Sequence, residues 1–134
     1  DRIAQLQWLK GELLENCVKP EDVGLFIGSM SEKSLEKVKT ECRIILATYG
    51  MMKEGQDIPR LDMGIDATPR ATGVQAIGRI RREHPGKKVP VWVTLYDGNG
   101  SGLLKGISAA RVADYGSCGV KVSNIGTNLK LLPL

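Results

Sequence analysis

Histidine is almost absent from this 134-residue chain, with His84 the single example. Catalytic triads and histidine-based metal sites therefore have almost nothing to work with. Aromatic residues are scarce at 4%, which argues against the stacking platforms of single-strand-binding proteins. Cys17, Cys42 and Cys118 are odd in number and show no metal-type spacing, so reduced thiols in an intracellular, cytoplasmic setting are expected. No apolar run approaches the roughly 18 residues of a membrane span, and no signal peptide is evident. A membrane is not an expected partner.

Phosphate-binding loops are also missing. Gly73-x4-Gly78 has the right glycine spacing, but Arg79-Ile80 follows where Lys and then Ser or Thr are required. The run also falls inside a predicted helix rather than between strand and helix. Gly98-x-Gly100-x-Gly102 follows a strand, yet its third glycine comes one residue early and no acidic residue stands about 20 positions on. A plain loop is the simpler reading. No paired-carboxylate motif for magnesium occurs, so no metal site is assigned to the chain's own residues.

What is present is ordinary for a globular domain: 42% apolar residues, 25% charged and a net charge of +4. One domain over residues 1–134 is the default at this length. Mild basicity permits contact with nucleic acid without demonstrating it. Asp1 to Asn16 reads as a helix, with Ile3, Leu6, Leu9, Leu13 and Cys17 recurring at helical intervals and Asp1 a plausible cap. Val23 to Gly28 is a short apolar run suited to a buried parallel strand. Ser29 to Glu32 has capping-box spacing ahead of a charged helix over Ser34 to Thr40. Further strands are expected at Arg43 to Ala47, Asp62 to Ala67 and Val89 to Tyr96. A helix over Leu103 to Tyr115, a turn at Gly116 to Gly119 and a weak last strand at Val120 to Val122 complete the chain. Strands alternating with helices predict an α/β fold, a mostly parallel sheet with helices on both faces.

The organising stretch runs from Ile44 to Arg82. At about 100° per residue, Gln75, Gly78, Arg79 and Arg82 share one stripe of a helix, and Val74, Ile77 and Ile80 fall on the opposite side. Two guanidiniums and an amide then leave a buried helix on one face, with a glycine that permits close approach. That arrangement suits a polyphosphate. Arg81 points off the stripe.

These residues also carry a family resemblance. Ala47-Thr48 followed by Glu54-Gly55-x-Asp57-Ile58-Pro59 resembles motif V of the superfamily-two helicases, and Gln75-x-x-Gly78-Arg79-x-x-Arg82 resembles their motif VI at the expected separation. Ala67-Thr68-Pro69-Arg70, Asp1-Arg2-Ile3 and Gly24 to Met30 resemble the same family. The likeness covers residues 1–96, whereas 97–134 match its usual tail only loosely.

The resemblance implies the second of two RecA-like (P-loop NTPase-type) lobes, the helicase C-terminal domain. In that family, ATP lies between lobes, and the first lobe supplies the phosphate loop and the carboxylates that hold Mg2+. Carried over residue by residue, Arg79 and Arg82 are the implied arginine fingers, and Gln75 helps to organise that face. Gly55, Asp57 and Gly78 are implied on the nucleotide side, Gly55 and Asp57 near the ribose. Thr48, Gly28 and Ser29 are implied contacts to nucleic-acid phosphate. The implied partners are the N-terminal RecA-like lobe of the same protein and a nucleic acid, with DNA preferred to RNA.

Elementary electrostatics agrees with the finger assignment. A γ-phosphoryl transition state spreads negative charge over peripheral oxygens, and a fixed planar cation stabilises it more than the ground state. Such fingers contribute about 10³–10⁵ in rate.

Two departures from the family set further expectations. A central strand that normally precedes the segment resembling Asp1-Arg2 is not seen, so the lobe is expected to be truncated at its N-terminus. With no first lobe, the chain is expected to hydrolyse ATP negligibly by itself. The rival readings are a non-catalytic nucleic-acid-binding module derived from such a lobe, and an unrelated α/β enzyme binding a nucleotide at residues 97–102.

Overall fold

The computed structural model describes residues 2–53, 57–68, 70, 74–96 and 101–123. The fold is α/β with parallel strands, as the alternating pattern predicts, and the chain divides into two compact units, residues 1–59 and 60–134. This class of architecture is compatible with a RecA-like lobe.

The first unit opens with helix α1, Arg2–Glu15. Ile3, Leu6, Leu9 and Leu13 are half-buried along it. Cys17, expected on the same stripe, instead lies beyond the helix at φ 67°. There it reverses the chain, and Val18 N–H donates to the Leu13 carbonyl at 3.1 Å, a bond that satisfies a helix-end acceptor. A 3-10 turn over Pro20–Asp22 leads into strand β1, Val23–Phe26.

Helix α2, Glu32–Glu41, begins earlier than expected. Its cap is Ser31, whose Oγ accepts from Ser34 N–H at 3.3 Å. The capping box read at Ser29 is displaced by two residues. Met30 is held in a turn by its bond to the Ile27 carbonyl and packs against the core rather than entering the helix.

Strand β2, Ile44–Ala47, pairs parallel to β1 in the register Val23↔Ile44 to Phe26↔Ala47. The α2 crossover lies close on this sheet. A Cβ built at Gly24 would come within 2.6 Å of Val38 and 2.9 Å of the Cys42 sulfur. Phe26, Val38 and Cys42 form the buried cluster of the unit, with Leu35, Ile45 and Met51 packed against it. A short helix α3, Tyr49–Lys53, follows where the sequence predicts only a loop.

The second unit contains strand β3, Met63–Asp66, helix α4, Val74–Ile80, and strand β4, Val91–Thr94. The two strands are parallel, in register from Met63↔Val91 to Asp66↔Thr94. Helix α5, Gly102–Ser117, closes the unit. Trp92 lies over Gly64, where an added Cβ would meet its ring carbons at 2.2 and 2.3 Å. The indole N–H donates to the Tyr115 hydroxyl of α5 at 3.1 Å. The predicted strand at Val120–Val122 does not form, and those residues carry no regular structure. Helix α5 runs two residues past Tyr115, into the turn expected from Gly116.

Candidate functional site

In the first unit, Thr48, Gly28 and Ser29 gather at one edge. Gly28 and Ser29 form the turn that follows β1 after Ile27, and Thr48 is the first residue after β2. Because the strands are parallel, both positions lie at their carboxyl ends, where open α/β sheets bind ligands. Thr48 N–H donates to the Phe26 carbonyl at 3.4 Å, which ties the two strand ends together. A Cβ at Gly28 would stand 3.7 Å from the Met51 sulfur, so α3 lies beside this turn. Gly28 and Ser29 are exposed, and Thr48 is partly so. Asp57 is exposed, and Gly55 lies outside the described residues.

In the second unit, α4 divides into two faces as its periodicity predicts. Ala76, Ile77 and Ile80 are buried, while Gln75 and Gly78 are exposed and Arg79 is partly exposed. Nothing in the described structure lies within 4 Å of a Cβ placed at Gly78, so that face is open to an approaching group. The helix stops sooner than the expected 75–82 span. Arg81 N–H still bonds back to the Ile77 carbonyl at 3.2 Å, but Arg82 N–H closes a tighter turn onto the Arg79 carbonyl at 3.4 Å. This change from an i−4 to an i−3 acceptor is the tightened last turn common at helix ends. Arg82 is exposed in the closing turn, two residues beyond the helix. Its own carbonyl accepts from the Lys87 ammonium at 2.8 Å.

Sequence reasoning missed the residue that organises the carboxyl edge of the second sheet. Arg111, on α5, is 1% exposed. One guanidinium nitrogen donates to Asp66 Oδ2 at 3.1 Å and to the Thr68 carbonyl at 2.8 Å. The other donates to the Leu95 carbonyl at 2.6 Å. Asp66 Oδ1 in turn accepts from Thr68 N–H at 3.1 Å.

The last residue of β3, the first after β4 and the start of the chain leading to α4 are therefore all held by one side chain. A signal for it existed in the sequence. Ser108, Arg111 and Tyr115 are spaced 0, +3 and +7, a polar-containing stripe on one face of α5, and all three are buried. Among the described residues, no group of three or more His, Cys, Asp or Glu comes together in a way that could hold a metal ion. No described helix is long and apolar enough to cross a membrane.

An α/β chain with parallel strands, carrying Gln75, Gly78 and Arg79 on one helix face, is the class of protein that fold and site define. Comparison with known sequences adds a partial similarity to one protein that carries a helicase name. The chain is 38% identical over 76 residues to a protein of Acanthamoeba polyphaga mimivirus named "putative ATP-dependent RNA helicase". The matched region is 57% of this chain and 14% of that relative's length. No protein-family model matches the chain, and no solved structure does either.

Proposed function

We propose that the chain is the second, C-terminal RecA-like motor lobe of an ATP-dependent helicase or translocase of superfamily two, and that residues 1–134 act as one such lobe. The observation that carries this reading is the two-faced α4: Ile77 and Ile80 buried, with Gln75, Gly78 and Arg79 turned to the other side. The partial identity to a named helicase supports it. In this reading Arg79 and Arg82 stabilise the charge that develops on the γ-phosphoryl group, and Gln75 orients that face. Gly55, Asp57 and Gly78 border the nucleotide.

The 134 residues carry no phosphate loop, so ATP and its Mg2+ are presented by a first lobe. Closure of the two lobes on ATP and reopening after hydrolysis shift the contacts to the bound strand. Thr48, Gly28 and Ser29, at the carboxyl edge of β1 and β2, supply part of the strand-binding surface. The relative's name specifies RNA. The preference for DNA drawn from the sequence has no support there, and RNA is the first polynucleotide to test.

The test is ATP hydrolysis with and without a first lobe. The chain alone is expected to turn over negligibly. With a lobe that contributes the phosphate loop, nucleic-acid-stimulated hydrolysis appears, and Arg79→Ala lowers kcat about 10³-fold with little change in nucleotide affinity. Equal losses of rate and binding would make Arg79 a ground-state contact. Robust turnover by the chain alone would remove the two-lobe reading.

A further inference from the structure

The basic segment that follows α4 is not used by the motor reading beyond Arg82, and its geometry points to a separate role. Arg81 and Arg82 leave the helix, Pro85 and Gly86 turn the chain, and Lys87 and Lys88 come back against the same hollow. Gly86 sits at φ 75°, the left-handed region that glycine adopts without strain. Lys87 N–H closes the turn onto the His84 carbonyl at 3.1 Å. The Lys87 ammonium then reaches back to the Arg82 carbonyl at 2.8 Å, which draws the two arms together. His84 Nδ1 lies 3.0 Å from the Pro85 carbonyl.

Apart from Arg82, which the motor reading assigns to the nucleotide, Arg81, Lys87 and Lys88 share one concave surface with a single acid, Glu83. An anion seated beside these side chains gains favourable Coulomb energy. The ligand's shape is constrained as well. Among the residues that line the hollow, His84 is the only aromatic ring that could stack on a base, and the apolar atoms come from prolines and side-chain stems. A mononucleotide would find no slot for its base. A phosphodiester backbone needs none, because it is read through its phosphates alone.

We propose that Arg81, Lys87 and Lys88 form a seat for the phosphate backbone of a single-stranded polynucleotide, distinct from the face carrying Gln75 and Arg79. The seat makes sequence-independent contacts. This rests on the polynucleotide-binding part of the function proposed above, but not on hydrolysis.

The test measures the affinity of the chain for a homopolymeric single-stranded RNA as a function of salt, without nucleotide. Each phosphate contact to a single strand contributes about 0.7 to the slope of log affinity against log salt. The triple variant Arg81→Gln, Lys87→Gln, Lys88→Gln is expected to lose about 2 from that slope. The charge-preserving set Arg81→Lys, Lys87→Arg, Lys88→Arg is expected to keep the wild-type slope, which separates loss of charge from loss of fold.

An unchanged slope in the triple variant, with wild-type binding intact, overturns the seat alone. A slope lost equally by the charge-preserving set overturns it too. The same holds if the glutamine variant weakens binding of ATP in the two-lobe complex and leaves the RNA slope untouched. Wild-type binding that shows no salt dependence removes the seat and the polynucleotide reading together.

Discussion

Arg111 and Asp66 meet at 3.1 Å with the arginine 1% exposed and the aspartate 6% exposed. A buried ion pair of this kind need not stabilise a fold against an apolar replacement, but removing one partner strands the other charge. Here the loss would be larger than a single pair, because the guanidinium also satisfies the carbonyls of Thr68 and Leu95. Arg111→Met is therefore expected to lower unfolding free energy by about 3–5 kcal/mol in a denaturant titration. Adding Asp66→Leu to that variant should recover part of the loss. A cost below about 1 kcal/mol for the single change would mean the pair contributes little.

The surface ion pairs call for no such expectation. Lys37 with Glu41 and Lys39 with Glu36 sit one turn apart on exposed α2, where such pairs contribute at most a few tenths of a kcal/mol.

At the scale of elements, each unit has one glycine that sets how closely its layers approach. Gly64 admits the Trp92 ring against β3, and Gly24 admits Val38 and Cys42 against β1. Gly64→Ala should destabilise the second unit by about 1–3 kcal/mol, since the indole is held by its bond to Tyr115 and has little room to retreat. The readout is the thermal or denaturant midpoint. A neutral effect would show that Trp92 is free to shift. Ser31→Ala should cost about 1 kcal/mol through loss of the α2 cap, whereas Ser29→Ala should cost little if Ser29 does not cap the helix.

The same elements show what is legible in the sequence. Helix α4 can be read there because its burial repeats every three to four residues, a local pattern that survives in any context. The parallel strand pairs follow from short apolar runs separated by helices. The stripe of Ser108, Arg111 and Tyr115 marks Arg111 as a buried position, but not what it pairs with. Its partner Asp66 is 45 residues away, and no local rule selects it. The cap falls at Ser31 rather than Ser29 because Met30 has a tertiary role in the core that its neighbours do not reveal. Helix α4 ends two residues short of its sequence pattern because the stripe continues into the tighter turn that Arg82 N–H closes onto Arg79.

At the scale of the whole molecule, charge and function are linked through the segment just after α4. The net charge of +4 is modest, yet Arg79, Arg81, Arg82, Lys87 and Lys88 place five cations within ten residues. These five divide by task in the proposed motor. There Arg79 and Arg82 would face a triphosphate, and Arg81, Lys87 and Lys88 would hold a strand. Nucleotide chemistry and strand contact would then be joined through one short stretch of backbone, with α5 and Arg111 fixing the chain that leads into it.

This division predicts separable phenotypes. The double variant Arg81→Gln, Lys88→Gln, which keeps the Lys87 bond to the Arg82 carbonyl, should raise the RNA concentration needed for half-maximal stimulation and leave the unstimulated rate unchanged, as measured by ATPase titration of the two-lobe complex. Arg79→Ala should do the reverse, lowering the rate at saturating RNA with no shift in the half-maximal RNA concentration. Parallel changes in both quantities for either variant would mean that the two tasks are not separate.

At the centre of the proposed motor, Arg79 stabilises the transferring phosphoryl group more than it holds bound ATP. This is tested most directly by comparing, in the two-lobe complex, the affinity for ADP with a metal-fluoride mimic of the transition state and the affinity for a non-hydrolysable ATP analogue. Arg79→Ala is expected to weaken the mimic by about a hundredfold or more while changing the ATP analogue only a few fold. Equal weakening of the two, or none of either, would contradict the account.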